Sequence, residues 1–416
     1  MGFRSVLLLL VSGLLLAAVA SGAPAAPAPD VLRPAGKGLQ AAIDAARPGD
    51  VIELPRGTWH GPVVIDKALT LRGKGGVIEG GGKGTVIRVE AAHVLLDGLV
   101  VRGSGKNLSG PDACIYLTPK ATGTRVEHTR LSDCGFGIWV HETPRARLIG
   151  NRIAGSFEGS RSDRGNGIQL FNAQHLRVLD NVITGGRDGI YVSATEYSLI
   201  ARNHIKRTRY GVHYMFAYNN TLRGNVSNDN FGGFALMESH HIKAIDNVAM
   251  DNTEHGILFR DVEYCTITGN RIEHNGQGMF FFSSTQNRIE NNRLLHNEVG
   301  AKIWAGSLRN KVEGNVFVGN RQQVQYVGNQ DLVWGTADRG NFWGDYLGWD
   351  QNGDGIGDRP YRVDSFTTHL LGSYPSAALL MQSPALELLS HLAEKLPILR
   401  VPTVIDERPL TRRPAP

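Results

Sequence analysis

The sequence is poor in cysteine and has little net charge. Three cysteines, Cys114, Cys134 and Cys265, are too few among 416 residues for a disulfide scaffold. The formal net charge of +5 is small for this length, and no dense cluster of lysine and arginine is present. Nucleic-acid binding is therefore not expected. Beyond residue 23, no apolar run is long enough to cross a membrane.

Glycine is abundant, and one glycine and one asparagine recur with a period of 22 or 23 residues. The glycines are Gly167, Gly189, Gly211, Gly233, Gly256, Gly278 and Gly300. The asparagines are Asn181, Asn203, Asn225, Asn247, Asn270, Asn292 and Asn315. Gly137 and Asn151 occupy the same two columns one repeat earlier, before an insertion. Self-similarity at this period predicts a solenoid in which each repeat packs on its neighbours.

Each repeat contains three short runs of alternating apolar and polar residues, which predicts strands. Three short strands and three turns fill a repeat and leave no room for a packed helix. We therefore predict an all-β fold, a right-handed parallel β-helix over residues 38–330. The asparagine suits an inward turn position where side-chain amides stack, and the glycine suits a turn that a Cβ would strain.

The two ends of the chain differ from the repeats. Residues 1–23 have the pattern of a secretory signal peptide, which implies export, and residues 24–37 are predicted to be a disordered Ala/Pro-rich leader. The stretch 38–47 predicts an amphipathic helix that covers the first coil. We predict a C-terminal cap over 331–375 and a docking tail over 376–416, which lacks the repeat and is not expected to add to the coil core. The apolar side of its predicted helix carries Leu386, Leu389 and Leu396.

The repeat also predicts where the three cysteines lie in the coils. Cys114 and Cys134 lie about one coil apart, so they can form a disulfide in an oxidising compartment or remain buried thiols, and the sequence slightly favours thiols. Cys265 shares a column with Leu176 and Ile242 and is predicted to point into the core.

In each repeat, the residues two and four positions after the glycine are predicted to face outward. These outward positions are rich in aromatic residues and methionine. The aromatic members, which we predict to contact a partner, are Trp139, Phe171, Tyr191, Phe280, Phe282 and Trp304. A continuous apolar strip of this kind predicts a binding surface. The alternative is that a loop or the C-terminal tail covers it.

Within this strip, Met215 and Met237 lie one coil apart in the same column, and His213 precedes Met215 by two residues. Two thioethers and one imidazole suit Cu(I), because soft ligands select it over hard ions. His240 and His241 follow closely and are weaker candidate ligands. The alternative is that the methionines form a plastic docking patch, which the residues taken alone favour.

Two further chemistries remain open. The run that contains Asp350, Asn352, Asp354 and Asp358 has the oxygen spacing of a Ca²⁺ loop, but Tyr361 stands where a bidentate glutamate is usual, so a structural Ca²⁺ site and a metal-free turn are both consistent. A carbohydrate-active enzyme, such as a polyuronate lyase or epimerase, needs clustered carboxylates. The strip offers no acidic pair, and Asp163, Asp188 and Glu196 are predicted to be solvated turn residues.

The sequence resembles the NosD family of periplasmic accessory proteins for nitrous oxide reductase maturation. The resemblance rests on Tyr210-Gly211-Val212-His213-Tyr214-Met215, on Asn341-Phe342-Trp343 with Asp345-Tyr346 and the Asp350 to Asp358 run, and on the tail from Ser383-Pro384. The opening, LQAAIDAA followed by LPRGTW, is similar to that of pectin-lyase-like β-helix proteins.

This resemblance implies a non-enzymatic protein in the periplasm. It implies a position on an ABC transporter, made of a permease and an ATPase, with a copper chaperone lipoprotein and nitrous oxide reductase as further partners. It also implies a role in supplying copper, and in an open alternative sulfur, to the copper–sulfur cluster of the reductase. The resemblance raises the expectation that the histidine and methionines bind Cu(I), and it makes the C-terminal tail the expected contact to the permease.

Overall fold

The structure is a computed structural model. It describes residues 30–34, 38–304, 306–328, 330–363, 383–384, 388–389, 392 and 403–414. The predicted signal peptide lies outside these residues, as do Leu386 and Leu396 of the predicted docking helix. Among the described residues, no helix is both long enough and apolar enough to span a membrane.

The chain winds into a parallel β-helix, as the period predicts. One wall of the coil is a sheet of 12 strands, which we call the front sheet. Its strands are Val63–Ile65, Ile87–Val89, Ala113–Leu117, Phe136–His141, Ile168–Phe171, Ile190–Ser193, Tyr210–Met215, Gly232–Met237, His255–Arg260, Gln277–Phe282, Val299–Trp304 and Gln322–Val327. Each strand pairs in parallel with the equivalent strand of the next coil.

The rest of the coil is a sheet of 24 strands in two rows that meet at the asparagine column. The row before the asparagine contains Leu95–Asp97, Arg125–Glu127, Arg147–Ile149, Arg177–Leu179, Leu199–Ala201, Thr221–Arg223, Lys243–Ile245, Thr266–Thr268, Arg288–Glu290 and Lys311–Glu313. The row after it contains Val100–Arg102, Arg130–Ser132, Arg152–Ala154, Val182–Thr184, His204–Lys206, Val226–Asn228, Val248–Met250, Arg271–Glu273, Arg293–Leu295, Val316–Val318 and Phe342–Trp343. Val31–Leu32, Val51–His60 and Thr70–Glu79 complete the sheet. Val31 and Leu32 pair in parallel with Val51 and Ile52, so this part of the predicted disordered leader is an ordered strand.

The asparagine column forms a continuous ladder of buried amides. Asn225, for example, donates from Nδ2 to Oδ1 of Asn247 at 3.0 Å and to the carbonyl of Ile200 at 2.9 Å. The backbone NH of Asn225 also donates to Oδ1 of Asn247. Because the same bonds repeat on each coil, every buried polar group at this turn has a partner. The predicted stacking of side-chain amides is confirmed.

The glycine column has a different cause from the predicted one. A Cβ on Gly189 would lie 2.6 Å from the carbonyl oxygen of Gly211 on the next coil, and a Cβ on Gly233 would lie 2.5 Å from the carbonyl oxygen of Gly256. These glycines do not have positive φ angles. The column is therefore glycine because adjacent coils approach too closely for a side chain, and not because a turn needs a left-handed residue.

The N-terminal end is covered as predicted. A helix, Gly38–Ala45, buries Leu39 and Ile43 on the core. Gln40 exchanges two hydrogen bonds with the backbone of Val64 in the first front-sheet strand, at 3.1 and 2.8 Å. The helix therefore covers the open end of the core and satisfies part of the unpaired strand edge.

The C-terminal end is closed by part of the predicted tail, so the expectation that the tail adds nothing to the core is wrong for residues 403–411. The strand Val404–Asp406 pairs in parallel with Leu332–Trp334 and antiparallel with Tyr361–Arg362. Asp406 is fully buried, and its Oδ2 accepts hydrogen bonds from the backbone and side chain of Asn341 and from Trp343 Nε1. Since Asn341 continues the ladder from Asn315, the tail supplies the acceptor that ends it.

The slight preference for free thiols at Cys114 and Cys134 is wrong. The structure joins these residues in a disulfide, with Cα atoms 5.6 Å apart. The two residues lie on neighbouring coils, where the stacking brings them within bonding reach. Cys265 is a buried free cysteine in the core, as predicted.

Candidate metal centre

The predicted outward strip exists, and its side chains share one face of the front sheet. The column through His213 runs Trp139, Gln169, Tyr191, His213, Ala235, Leu258, Phe280 and Lys302, with each residue paired to the next across coils. Val212 and Tyr214 point the other way into the main core. Ala235, Met237 and Leu258 form a separate apolar cluster, which Met215, Tyr210 and Phe280 contact.

The middle of this strip is closed, which corrects the expectation of a continuous exposed surface. His213 is only 4% exposed and Met237 only 8%, whereas Phe171 and Trp304 nearer the ends are 37% and 42% exposed. Met215 is half-buried. The metal candidates therefore lie on the predicted wall but beneath neighbouring side chains.

Small residues create this closed region. Tyr210 pairs with Gly232 across adjacent coils, and a Cβ on Gly232 would lie 2.8 Å from two ring carbons of Tyr210. The Tyr210 ring lies 5.1 Å from the His213 ring, and the Tyr191 ring lies 5.0 Å from it on the neighbouring coil. Glycine at 232 and alanine at 235 thus leave room for the tyrosine to lie against the sheet.

A buried ion pair lies beside His213. Arg209 donates from Nε and from a terminal guanidinium nitrogen to the two carboxylate oxygens of Asp188, at 2.8 and 2.6 Å. Asp188 is 1% exposed and also accepts from the backbone NH of Tyr210. Burial favours a raised pKa for Asp188, but hydrogen bonds from His213 and Arg209 outweigh it and hold the pKa below its ordinary value. The carboxylate is therefore ionised and compensated by Arg209.

This carboxylate fixes the tautomer of His213. Nδ1 of His213 lies 3.0 Å from Oδ2 of Asp188. A terminal guanidinium nitrogen of Arg209 lies 3.2 Å from the same Nδ1. The carboxylate can only accept and the guanidinium can only donate, and the shorter contact, to the carboxylate, favours a proton on Nδ1. Nε2 of His213 is buried and has no hydrogen-bond partner among the described residues. With the proton on Nδ1, Nε2 keeps a lone pair that a metal ion could bind.

An imidazole held by a carboxylate on one nitrogen, with a lone pair on the other, is the arrangement that metal-binding histidines commonly use. Met215 and Met237 are direct partners on adjacent strands, which places their Cα atoms about 4.8 Å apart on the same face as His213. The donor set is one imidazole nitrogen and two thioether sulfurs. It fits Cu(I) and does not fit hard divalent ions.

The weaker candidate ligands lie elsewhere. His240 is half-buried in a turn column, 3.8 Å from a carboxylate oxygen of Glu263 and 5.5 Å from the Tyr218 ring. His241 is exposed, and its ring stacks on Tyr264 at 5.4 Å. Both have local partners of their own. Neither contacts His213 in the part of the chain that the structure describes.

The predicted partner-binding aromatics divide into two groups on either side of the closed region. Trp139 packs beside Phe136 at 4.7 Å, and Phe171 stacks on His141 at 5.3 Å. On the other side, Trp304 contacts Phe280 and Phe282 at 5.9 and 5.7 Å. Tyr191 lies between the groups, against His213. Of the predicted docking helix, Leu389 is described and is 45% exposed.

The oxygen atoms of the predicted calcium loop act as turn acceptors. Asp350 accepts from the backbone NH of Gly355 at 2.9 Å and from Thr411 Oγ1 at 3.1 Å. Asp354 accepts from the NH of Ile356, and Asp358 from that of Gln351. Asn352 accepts from the NH of Asp354. Within the described residues, no group of three or more His, Cys, Asp or Glu side chains is placed to hold a metal. Calcium at this loop stays a prediction.

Sequence reasoning missed Asp188 and Arg209. Asp188 was predicted to be a solvated turn residue, which is wrong, because it is buried beside the front sheet. The available signal was its position directly before the repeated Gly189, the same position that Tyr210 holds one coil later. That register places Asp188 under Tyr210, beside Arg209 and within reach of His213, but only the packing shows that the carboxylate turns inward.

The fold has solved relatives among enzymes. One is the family 28 exopolygalacturonase of Yersinia enterocolitica, which is 13% identical, covers 73% of this chain and 78% of its own, and has a TM-score of 0.56. At this identity the likeness shows the fold alone. Beside the strip, Asp188 is a nearly fully buried carboxylate, and it pairs with Arg209 and His213.

Sequence relatives are more specific. The family described as "Periplasmic copper-binding protein (NosD)" matches residues 155–348, which include the whole candidate centre. A protein of Stutzerimonas stutzeri named "Probable ABC transporter binding protein NosD" is 35% identical over 377 residues, which are 87% of this chain and 86% of that protein. A protein of Pseudomonas aeruginosa with the same name is also 35% identical, over 87% of this chain and 88% of its own length. The chain therefore belongs to the NosD family.

Proposed function

We propose that this protein binds copper as Cu(I) through Nε2 of His213 and the sulfur atoms of Met215 and Met237, and passes it on. In this role it is a periplasmic accessory protein for the maturation of nitrous oxide reductase, positioned at an ABC transporter. It is a scaffold that carries cargo and is not an enzyme.

The single observation that carries the proposal is the free, buried Nε2 of His213. A buried polar atom without a partner costs about 1–3 kcal/mol, so its presence calls for an explanation. A bound metal ion supplies the missing partner. The Asp188 carboxylate already holds the ring in the tautomer that leaves Nε2 as an electron-pair donor.

The charges around the site suit a soft monovalent ion. Arg209 neutralises Asp188, so the ligand set itself adds no net negative charge that would attract hard divalent cations. The thioethers of Met215 and Met237 then decide selectivity in favour of Cu(I). Three neutral ligands under a thin cover of Tyr210 and Tyr191 favour release as well as capture, which a transfer protein needs.

The partners follow from membership of the family and from the names of the relatives. We propose that a copper chaperone lipoprotein delivers the ion, that nitrous oxide reductase receives it, and that the permease and ATPase of an ABC transporter form the assembly on the membrane. Because residues 403–411 belong to the cap, the docking role proposed for the tail falls to residues 376–402. Sulfur as an additional cargo is not distinguished from copper by this ligand set.

A competition titration against a Cu(I) chelator tests the site. The variant with His213→Ala, Met215→Leu and Met237→Leu is expected to bind Cu(I) at least about tenfold more weakly than the wild type. Leucine keeps the volume of methionine, so folding should be preserved.

The matched control is Met250→Leu, a half-buried methionine on the other sheet. It should bind copper as the wild type does. Wild-type affinity in the triple variant, with its thermal unfolding midpoint unchanged, would overturn the assignment.

A further inference from the structure

A second surface, formed by the row of strands before the asparagine column, carries arginines stacked on consecutive coils. Arg125, Arg147 and Arg177 are direct register partners on three consecutive coils. Equivalent positions on adjacent strands are about 4.8 Å apart. Like charges placed directly opposite one another destabilise a sheet unless something neutralises them.

In two strands of this row the neutralising group is built into the strand. Arg125 is held by Glu127 two residues later, with both bonds at 2.8 Å, and Arg288 is held by Glu290 in the same way. In the strands of Arg147 and Arg177, the position two residues later is apolar, Ile149 and Leu179.

Arg147 and Arg177 consequently lack a carboxylate partner among the described residues. Both are exposed, and neither forms an ion pair there. The nearby Asp180 is already taken, because it makes two bonds of 2.7 Å with Arg202. Two guanidinium groups on adjacent coils therefore border the same space without a carboxylate partner among the described residues.

That space is a groove of about 710 Å³. It is lined by Arg145, Arg147 and Arg177, by the stacked rings of His175 and Tyr197, whose centroids are 5.5 Å apart, and by Thr221 on its far side. Its volume far exceeds that of one carboxylate or phosphate and matches several residues of an extended chain. Two leucines also line it, but Leu176 is buried and Leu199 half-buried, so neither is an exposed apolar side chain of the kind that inserts into a lipid surface.

We propose that this arginine-lined groove binds a carboxylate-rich segment of a protein partner. Guanidinium groups bind carboxylates in a bidentate fork, which gives direction as well as strength. The exposed Tyr197 and His175 rings offer a flat edge against which such a segment lies. The groove is on a different wall of the coil from the front sheet, so the segment and the copper ligands do not compete for the same surface.

The test measures fluorescence anisotropy of a short labelled peptide of alternating glutamate and serine, with a glutamine-for-glutamate peptide as its counterpart. We expect the wild-type protein to bind the acidic peptide and not the neutral one, with an affinity that falls as salt is added. Arg147→Gln with Arg177→Gln should weaken binding about tenfold or more. Arg288→Gln, in the same row but paired with its own glutamate, should bind as the wild type does.

The double variant should unfold at the same temperature as the wild type or slightly higher, since it removes a repulsion. Equal binding of the peptide by the wild type and the double variant would overturn the proposal. It would also be overturned if the acidic peptide did not bind while phosphatidylglycerol vesicles bound in an Arg147- and Arg177-dependent way, because the occupant would then be a membrane.

Discussion

At the scale of single residues, the environment of His213, a proposed copper ligand, differs from that of an ordinary surface histidine, because the side chain is buried and lies beside Asp188. The sequence was sufficient to predict that His213, Met215 and Met237 share a wall, because a constant period fixes register. It was not sufficient to predict their burial, since that depends on Tyr210 lying over Gly232. It also missed Asp188, because the inward turn of a carboxylate is decided by Arg209, 21 residues later.

The role of Asp188 can be tested directly. Asp188→Asn keeps the shape of the side chain but removes its charge, so Arg209 loses its partner and His213 loses the ionised acceptor that fixes its tautomer. We expect Cu(I) affinity to fall about 10- to 100-fold in a chelator competition titration.

Asp180→Asn is the matched control, because Asp180 also pairs with an arginine one coil away but at an exposed position. It should leave copper affinity unchanged. If both variants bound copper equally well, the proposed positioning role of Asp188 would be wrong.

At the scale of elements, the asparagine ladder is the feature that the sequence predicted best and that holds the coils in register. Each amide is buried, accepts from the asparagine of the coil before it, and donates to the asparagine oxygen of the coil after it and to a carbonyl of the coil before it. The glycine column was also visible in the sequence, but its cause was not, because the distance between neighbouring coils is a property of packing. The repeat therefore shows where glycine and asparagine are required, but it does not show that the glycine is required by the close approach of adjacent coils.

Interrupting the ladder should be costly. Asn247→Ala removes the acceptor of the Asn225 NH, one of the acceptors of the Asn225 side-chain amide and the side-chain donor to the Leu222 carbonyl in a buried turn. We expect a loss of about 3 kcal/mol in the free energy of unfolding, measured by urea denaturation. Asn228→Ala, which removes a half-buried amide outside the ladder, should cost far less. Similar losses in both variants would contradict the ladder's role.

The carboxylate at the end of the ladder predicts a pH effect. Burial raises the pKa of Asp406 above its ordinary value, against the effect of the hydrogen bonds that it accepts from Trp343 and Asn341. Because the folded-state pKa is raised, protonated Asp406 stabilises the fold, and this stabilisation is fully present at pH values below the unfolded-state pKa. This contribution is lost as the pH rises through the folded-state pKa.

Asp406→Asn removes this titration. The free energy of unfolding of the variant, measured relative to the wild type, should therefore increase as the pH is raised from about 4 to about 7. Comparing the two proteins at each pH cancels the titration of the other acids. A difference that stays constant across this range would show that Asp406 does not titrate as its burial implies.

At the scale of the whole molecule, the chain forms stacked coils with a cap at each end. The front sheet carries apolar side chains and the proposed copper ligands, and the row of strands before the asparagine column carries the arginine-lined groove. The stacked coils were predictable because glycine and asparagine recur in the sequence every 22 or 23 residues. The C-terminal closure was not, because residues 403–411 lack the repeat and reach the ladder only by folding back across the last coil. The proposed copper ligands thus lie on the front sheet, and the arginine-lined groove lies on another wall.

We propose that the stacked coils bring the imidazole of His213 and the thioethers of Met215 and Met237 together around a Cu(I) ion. X-ray absorption spectroscopy of the Cu(I)-loaded protein tests it most directly, because it identifies the atoms bound to the metal. The account predicts two sulfur neighbours and one imidazole nitrogen, with the sulfur signal lost in Met215→Leu with Met237→Leu. A copper environment without sulfur, or a sulfur signal unchanged in that variant, would contradict it.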